Sequence, residues 1–285
     1  MKTYTRRGFL KKLVGLTAAG LITAFGGYSY ARYLEPKMID ITSFDIKHKQ
    51  IPKAFNGTKI VQISDTHMSD FFTLSHLKKV LNEVNDLKPD IVFFTGDLMD
   101  EPNVYTMKQK VVEELNRLKA PLGKFAIYGN HDHGGYGTDI YHNMMAMTDF
   151  ILLKNQYHEI KLLDGSMIQL AGIDDLMLGK PDYEKTLSNF TEENFSILLA
   201  HEPDAALESN KYKVNLQISG HSHGGQIQIP FYGPLITPPY ASVYTEGMYE
   251  VGTMQLYVNR GLGTTRLPFR FLSVPEITVF TLKTG

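Results

Sequence analysis

The sequence predicts an α/β fold, a two-sheet β-sandwich flanked by helices and built as a single domain. Three observations point there. Apolar runs of strand length alternate with segments of helical periodicity through the first half of the chain. The second half is a succession of short strands. No linker, repeat or low-complexity tract separates the halves, and 43% hydrophobic content over 285 residues suffices for one large core.

The chain opens with an address. Lys2, Arg6, Arg7, Lys11 and Lys12 precede an apolar stretch over residues 13–25, which is the plan of an export signal. Arg6 and Arg7, followed by Phe9, Leu10 and Lys11, resemble the twin-arginine signal and imply the twin-arginine translocase as a partner. Residues 1–31 are therefore assigned as a signal or possible membrane anchor, and 32–285 as the folded domain. Ser29 and Ala31 are small residues at the two positions a signal peptidase reads. Residues 13–31 carry no charge and could just span a bilayer. Gly15, Gly20, Gly26 and Gly27 weaken that stretch as a permanent anchor, so the balance favours cleavage over retention.

Charge and composition exclude several classes. With the five N-terminal basic residues set aside, 24 basic residues face 30 acidic ones, a balance of −6. That is no footprint for nucleic acid, and none is expected as a partner. The chain has no cysteine, so disulfides and thiolate metal sites are excluded.

The elements follow in order. Residues 39–46 alternate and fit an edge strand. Residues 59–64 form a buried strand. Leu74, Leu77, Leu81 and Val84 recur at helical spacing over 73–87, with Thr73 as N-cap and Pro89 beyond the end. Residues 91–95 are the next strand, 107–118 a second helix and 125–128 a third strand. Strand–helix–strand repetition implies parallel pairing. Residues 160–163 and 167–173 flank Asp164-Gly165 as a hairpin. Strands at 197–200, 216–219, 227–229, 254–259 and 277–282 complete the pattern.

Five polar clusters sit directly after strands: Asp65-Thr66-His67, Gly96-Asp97, Gly129-Asn130-His131-Asp132, His201, and Gly220-His221-Ser222-His223. In open α/β sheets, ligands bind beyond the carboxyl ends of strands. Residues i and i+2 of an extended segment face the same side, so Asp65 with His67, and His221 with His223, can converge. The glycines allow tight turns where each polar residue enters. Carboxylate, amide and imidazole donors suit Mn²⁺, Fe or Zn²⁺. Each cluster alone is commonplace; a Gly-Asp after a strand is ordinarily a turn. Five in sequence, each at a strand end, are specific.

This series resembles the calcineurin-like metallophosphoesterase superfamily over residues 65–223. The continuation Gly224-Gly225-Gln226 and the late Tyr257-Val258-Asn259-Arg260-Gly261 are similar to a subgroup of bacterial membrane- or wall-associated phosphohydrolases, among them twin-arginine-exported cell-wall phosphodiesterases of bacilli. The resemblance implies two divalent metal ions. Asp65, His67, Asp97 and His223 would bind one, and Asp97, Asn130, His201 and His221 the other. It implies hydrolysis of phosphodiesters or phosphomonoesters by a hydroxide bridging the metals, with no covalent enzyme intermediate. His131 would be the general acid or a phosphoryl donor, and Asp100 the residue that orients it; Asp132 is given only a structural role. Diesters are expected before monoesters. The expected location is the cell wall or the outer face of the cytoplasmic membrane.

Further residues are candidates for the pocket. Arg260 could meet a substrate phosphate. His133 and residues 134–137 could shape the pocket or form a turn. Tyr232, Pro238, Pro239, Tyr240 and Tyr244 fit a pocket wall, although aromatics there more often belong to the core. Two other functions stay open: a pyrophosphatase acting on a nucleotide-linked lipid sugar, which export disfavours, and a non-catalytic metal-binding wall protein. The N-terminal reading has a direct check. Arg6→Lys together with Arg7→Lys should leave precursor in the cytoplasm, measured by cell fractionation; continued export by the general secretory route contradicts it.

Overall fold

The computed structural model describes residues 5–133 and 138–285. The expected loop Gly134-Gly135-Tyr136-Gly137 lies outside the described residues. The elements are α1 (Arg6–Ser29), β1 (Asp40–His48), β2 (Lys59–Ile63), α2 (Leu74–Asp86), β3 (Ile91–Phe94), α3 (Lys108–Leu115) and β4 (Lys124–Ala126). Then come α4 (Asn130–His133), α5 (Thr138–Ala146), β5 (Phe150–Leu152), β6 (Gln156–Lys161), β7 (Met167–Gly172) and α6 (Tyr183–Leu187). The rest are β8 (Ser196–Leu199), α7 (Ala206–Ser209), β9 (Leu216–Ser219), β10 (Gln228–Ile229), β11 (Gly233–Pro234), β12 (Gly247–Val251), β13 (Met254–Val258) and β14 (Glu276–Thr284).

Two six-stranded sheets form the sandwich. The first runs β1-β14-β2-β3-β4-β5 and the second β12-β13-β9-β8-β7-β6. Strands β2 to β5 are mutually parallel, as are β7, β8, β9 and β13. The predicted edge strand is β1, which among the described residues pairs with β14 alone. The predicted hairpin is β6–β7.

Period-two alternation builds three layers of core from one sequence pattern. In β2, Ile60 points between the sheets, where it joins Phe93, Phe125, Ile197, Leu199, Ile218 and Phe280. Val61 and Ile63 point outward, to the helices. There α2 lays down Leu77, Val80, Leu81 and Val84, all buried, each contributing roughly 1.5–3 kcal/mol of transfer free energy. His76 Nδ1 accepts the Thr73 N–H at 3.2 Å and closes the start of α2. On the far side, Leu198, Ala200, Leu256 and Val258 pack against Leu187 of α6 and Ala206 of α7.

The pattern found β10 within the strand expected at 227–229 but missed β5, β12, the two-residue β11 and α5. Strand β5 has only three residues. Strand β12 is a half-exposed edge with a single buried residue, Val251, so neither offers a long apolar or alternating run.

One buried polar residue ties the sheets together near the ends of their parallel strands. Gln62 Nε2 donates to Thr95 Oγ1 and to the Ser219 carbonyl, each at 2.9 Å. Gln62→Leu removes both bonds, each worth about 0.5–1.5 kcal/mol, while the Ser219 carbonyl keeps the Asn259 N–H at 2.9 Å, so it should lower stability by about 1–3 kcal/mol. Urea denaturation should show a lower midpoint at constant slope; an unchanged midpoint contradicts the bridge.

Candidate metal centre

All seven predicted ligands lie beyond strand C-termini, on the same side of the sandwich. Asp65 and His67 follow β2, Asp97 follows β3, Asn130 follows β4, His201 follows β8, and His221 and His223 follow β9. One sheet supplies four of them and the other three, so the site straddles the seam.

Two donor clusters share one oxygen. In the first, the Nε2 atoms of His67 and His223 are 3.0 Å apart. Asp65 Oδ1 lies 3.8 Å from the former and 3.5 Å from the latter. Asp97 Oδ2 is 3.5 Å from His67 Nε2. In the second, the same Asp97 Oδ2 is 3.2 Å from His201 Nε2, which is 3.2 Å from His221 Nδ1. Bonds of about 2.1 Å to a shared cation put ligand atoms roughly 3–3.5 Å from one another, close to these spacings.

The tautomers point the same way. His201 Nδ1–H donates to the Thr95 carbonyl at 2.6 Å, so Nε2 is the nitrogen turned to the cluster. His221 Nε2–H donates to the Pro239 carbonyl at 2.9 Å, so its Nδ1 is bare. Two ring nitrogens facing each other at 3.2 Å need a proton or a metal ion between them. Asn130 Oδ1 is buried and has no hydrogen-bond partner, as a ligand oxygen would be. The residues fit a dinuclear metal site.

The local backbone differs from the extended segments expected from the sequence. Asp65, His67, Asp97, His221 and His223 all have positive φ, between 41° and 67°. Left-handed turns, not a shared strand face, bring each pair together. Asn130 and His131 begin α4 rather than continuing a strand. The glycines serve two needs. Gly96 has φ +98°; a Cβ on Gly129 would lie 2.2 Å from Asp97 Oδ1, so only glycine admits that carboxylate.

Asp132, given only a structural role from the sequence, locks this arrangement. Its Oδ2 accepts the N–H groups of Asp97 (2.7 Å) and Gly129 (2.9 Å), and its Oδ1 that of Leu98 (3.0 Å). Asp97 Oδ1 accepts the His131 N–H at 2.8 Å.

His131 lies beside the cluster, its ring edge-on to His67 at 4.6 Å. Its Nδ1–H donates to the backbone carbonyl of Asp100 at 2.7 Å, leaving Nε2 free. The expected carboxylate contact is longer, 3.6 Å. The Asp100 carboxylate instead stands 3.2 Å from His67 Nδ1 and accepts the Thr265 hydroxyl at 3.0 Å. One residue thus serves two histidines, by its carbonyl and by its side chain.

Arg260 departs from expectation. Its guanidinium pairs with Asp40 at 2.8 Å and Glu276 at 3.2 Å, because β1 and β14 bring those carboxylates beside the end of β13, and it does not line the cleft. Arg266 does; it belongs to no motif or period, so nothing in the sequence marks it. His133 pairs with Asp174 at 2.7 Å. The cleft, of about 320 Å³, is floored by His67, Asp97, Asn130, His131, His221 and His223. Pro238 and Pro239 do form its wall, with Ile227, Leu235, Ile236 and Leu267.

The chain belongs to the calcineurin-like phosphoesterase family, whose profile matches residues 58–225. Its members are metal-dependent phosphoester hydrolases. The chain is 60% identical over 283 residues to the uncharacterized metallophosphoesterase YkuE of Bacillus subtilis, covering 99% of both chains. It is 30% identical to a transmembrane protein with metallophosphoesterase domain of Danio rerio, over 96% of this chain and 63% of that one. It is 29% identical to the UDP-2,3-diacylglucosamine pyrophosphatase LpxG of Chlamydia muridarum, over 95% and 96%.

Protons stand where metals would bind. Burial opposes charge on His67, but the Asp100, Asp65 and Asp97 carboxylates outweigh it and push it up to about 9. Burial likewise opposes charge on His201, and Asp97 and Asp65 raise it well above the usual value. Burial and the neighbouring His201 push His221 down to about 4. At neutral pH the metal-free cluster therefore holds protons on His67 and His201 that a metal must displace. Apparent affinity should rise with pH up to about 9 and fall below it, by up to about tenfold per unit for each proton displaced. Zn²⁺ calorimetry at pH 7 in buffers of different protonation enthalpy should detect proton release; a pH-independent affinity contradicts it.

Proposed function

We propose that this chain is an extracytoplasmic phosphoesterase that holds two divalent metals and hydrolyses phosphodiesters in preference to monoesters. The observation that carries the reading is the pair of donor clusters sharing Asp97, with inward-facing histidine nitrogens and an unpartnered Asn130 oxygen. Asp65, His67, Asp97 and His223 would hold one ion, and Asp97, Asn130, His201 and His221 the other. Mn²⁺, Zn²⁺ or Fe suits these donors. Bound there, two such ions would supply positive charge at the phosphoryl oxygens and acidify water as a nucleophile.

The chain's own groups do the rest. His131, protonated, presents Nε2–H from the cleft floor to the leaving oxygen, while the Asp100 carbonyl fixes the ring through Nδ1–H. Asp132 holds the Asp97 and Gly129 loops in register, so the shared carboxylate needs no rearrangement on binding. Arg266 is the only lysine or arginine among the described residues lining the cleft. One such charge suits a diester monoanion better than a monoester dianion. The apolar wall has room for the second ester substituent.

The basic start and uncharged course of α1 support export by the twin-arginine route, to the wall or the outer membrane face. A second reading, a pyrophosphatase on a nucleotide-linked lipid sugar, draws support from the LpxG relatives; an extracytoplasmic location opposes it, since nucleotide sugars are cytoplasmic.

Purified protein should carry close to two metal ions per chain, lose turnover of a chromogenic diester on chelation, and regain it with Mn²⁺ or Zn²⁺. Full activity without metal refutes the reading. Metal binding without turnover of any ester leaves the non-catalytic wall protein.

His131→Ala should keep its metals and lose turnover by about 10²–10⁴-fold on alkyl esters. The loss should be smaller with a nitrophenolate leaving group, which hardly needs the proton. Loss of metal, or full turnover on both substrates, contradicts the assigned role.

A further inference from the structure

Building on the phosphoesterase reading, we infer that α1 is retained as a membrane anchor and that the apolar rim of the cleft rests on the bilayer, so the site takes phosphoesters carried by lipids of that leaflet. The first observation is how α1 joins the domain. The helix continues without a linker through the turns Tyr30–Leu34 and Glu35–Lys37. Ala31 is buried, and its carbonyl accepts the Arg270 N–H at 2.9 Å. Glu35 is fully buried, and its Oε1 accepts the Ser273 N–H at 2.6 Å. Tyr28 and Tyr30 pack edge-on against Phe269 and Phe271, at 5.4 and 6.3 Å. Cleavage after Ala31 would cut through this seat.

The strip that seats the helix also walls the cleft. Thr265, Arg266 and Leu267 line the cleft, and Phe269, Phe271 and Ser273 hold the helix. Phe271 pairs with the β10–β11 hairpin: its carbonyl accepts the Gln228 N–H at 2.9 Å. That hairpin brings Leu235 and Ile236 to the cleft wall. At its tip Phe231 is wholly exposed and Tyr232 about three-quarters exposed, and Ile236, Leu267 and Leu272 beside them are exposed too. These aromatics are not core. A contiguous apolar surface of this kind marks an interaction site.

Continuity with the span decides the occupant. The uncharged residues 13–31 cover about 28 Å as a helix, against about 30 Å of bilayer hydrocarbon. The last turn of that stretch, Tyr28 to Ala31, is itself part of the seat, which leaves the strip no slack and holds it at the bilayer surface. Arg6, Arg7, Lys11 and Lys12 lie at the far end of α1, the cytoplasmic side of such a span, which puts the domain on the outer face. Tyrosines, phenylalanines and Arg32 at the near end suit the lipid–water interface. A lipid headgroup can then enter the cleft while its tails follow the wall of Leu235, Ile236 and Leu267 back to the leaflet.

The chain contains no tryptophan, so Phe231→Trp gives a lone fluorophore at the hairpin tip. Leu163→Trp gives an equally exposed one in the β6–β7 turn. That turn lies at the opposite pole, because β7, β8 and β9 are parallel and the donors follow their other ends. In vesicles of phosphatidylethanolamine and phosphatidylglycerol containing brominated phosphatidylcholine, full-length Phe231→Trp protein should be quenched and Leu163→Trp protein should not. Quenching of neither, or of both alike, overturns the docked orientation.

The turnover arm uses metal-loaded full-length protein. Phe231→Ser with Tyr232→Ser should cut hydrolysis of vesicle-borne phosphatidic acid and phosphatidylglycerol by about tenfold or more. Soluble bis(nitrophenyl) phosphate should be hydrolysed unchanged. Turnover of the soluble ester but of neither lipid by the parent protein, or equal effects on lipid and soluble ester, overturns the substrate class. If the parent hydrolyses no ester at all, the phosphoesterase reading fails, while the quenching result still decides the docking.

Discussion

Asp65 and Asp97 are buried carboxylates at the seam of the sandwich, and among the described residues the ion-pair partners within reach of both are histidines. Burying such charges is costly unless positive charge comes with them. The imidazoles of His67, His201 and His223 can supply it only as protons or by sharing a metal. Much of the architecture serves to keep these acceptors together in that state. Gln62 ties the two sheets beside the site, and Asp132 pins the loops that carry Asp97 and Asn130. The burial that raises the cost also strengthens every electrostatic contact once a cation is present.

The arrangement stores strain. Among the described residues, twelve non-glycine residues have positive φ, and five of them are candidate ligands. Each such conformation costs of order 1–3 kcal/mol. The layered core on both faces of each sheet offsets that cost, because parallel strands buried on both sides fix where each loop begins. Strain at the site and rigidity beneath it are parts of one design. A metal that pulls these donors together acts on loops already bent toward it.

A second dependence runs outward from the site. Arg270, wholly buried, donates to the carbonyls of Gly263, Ser273 and Arg260, and reaches toward His223 Nδ1 at 3.3 Å. Its own N–H binds Ala31. A single residue therefore links the metal cluster, the cleft wall and the end of the N-terminal helix. Burial, opposed by Asp65, pushes this guanidinium down to about 10, yet it stays charged at neutral pH. The seat of the N-terminal helix and the geometry of the metal cluster share a framework, with no flexible linker between them.

The order of the motifs, by itself, determined the family, the seven candidate donors and the placement of each beyond a strand. That was possible because apolar runs and periodicity are local, and each donor sits next to a run that announces its strand. The long elements were legible for the same reason, down to Thr73 at the start of α2. Short or half-exposed elements such as β5 and β12 left too little apolar signal. Only the tertiary structure decided how the donors converge, since left-handed turns at Asp65, Asp97 and His221 follow from packing against Gly129, Gly220 and Asp132 on distant segments. It also decided that Arg260 is spent on Asp40 and Glu276 while Arg266 faces the cleft, because charge pairing depends on strands more than two hundred residues apart. The docking of Ala31 and Glu35 on residues 270–273 was likewise invisible in the sequence: an apolar N-terminal run looks the same whether its end is loose or buried, and only a partner from the other end of the chain can show which.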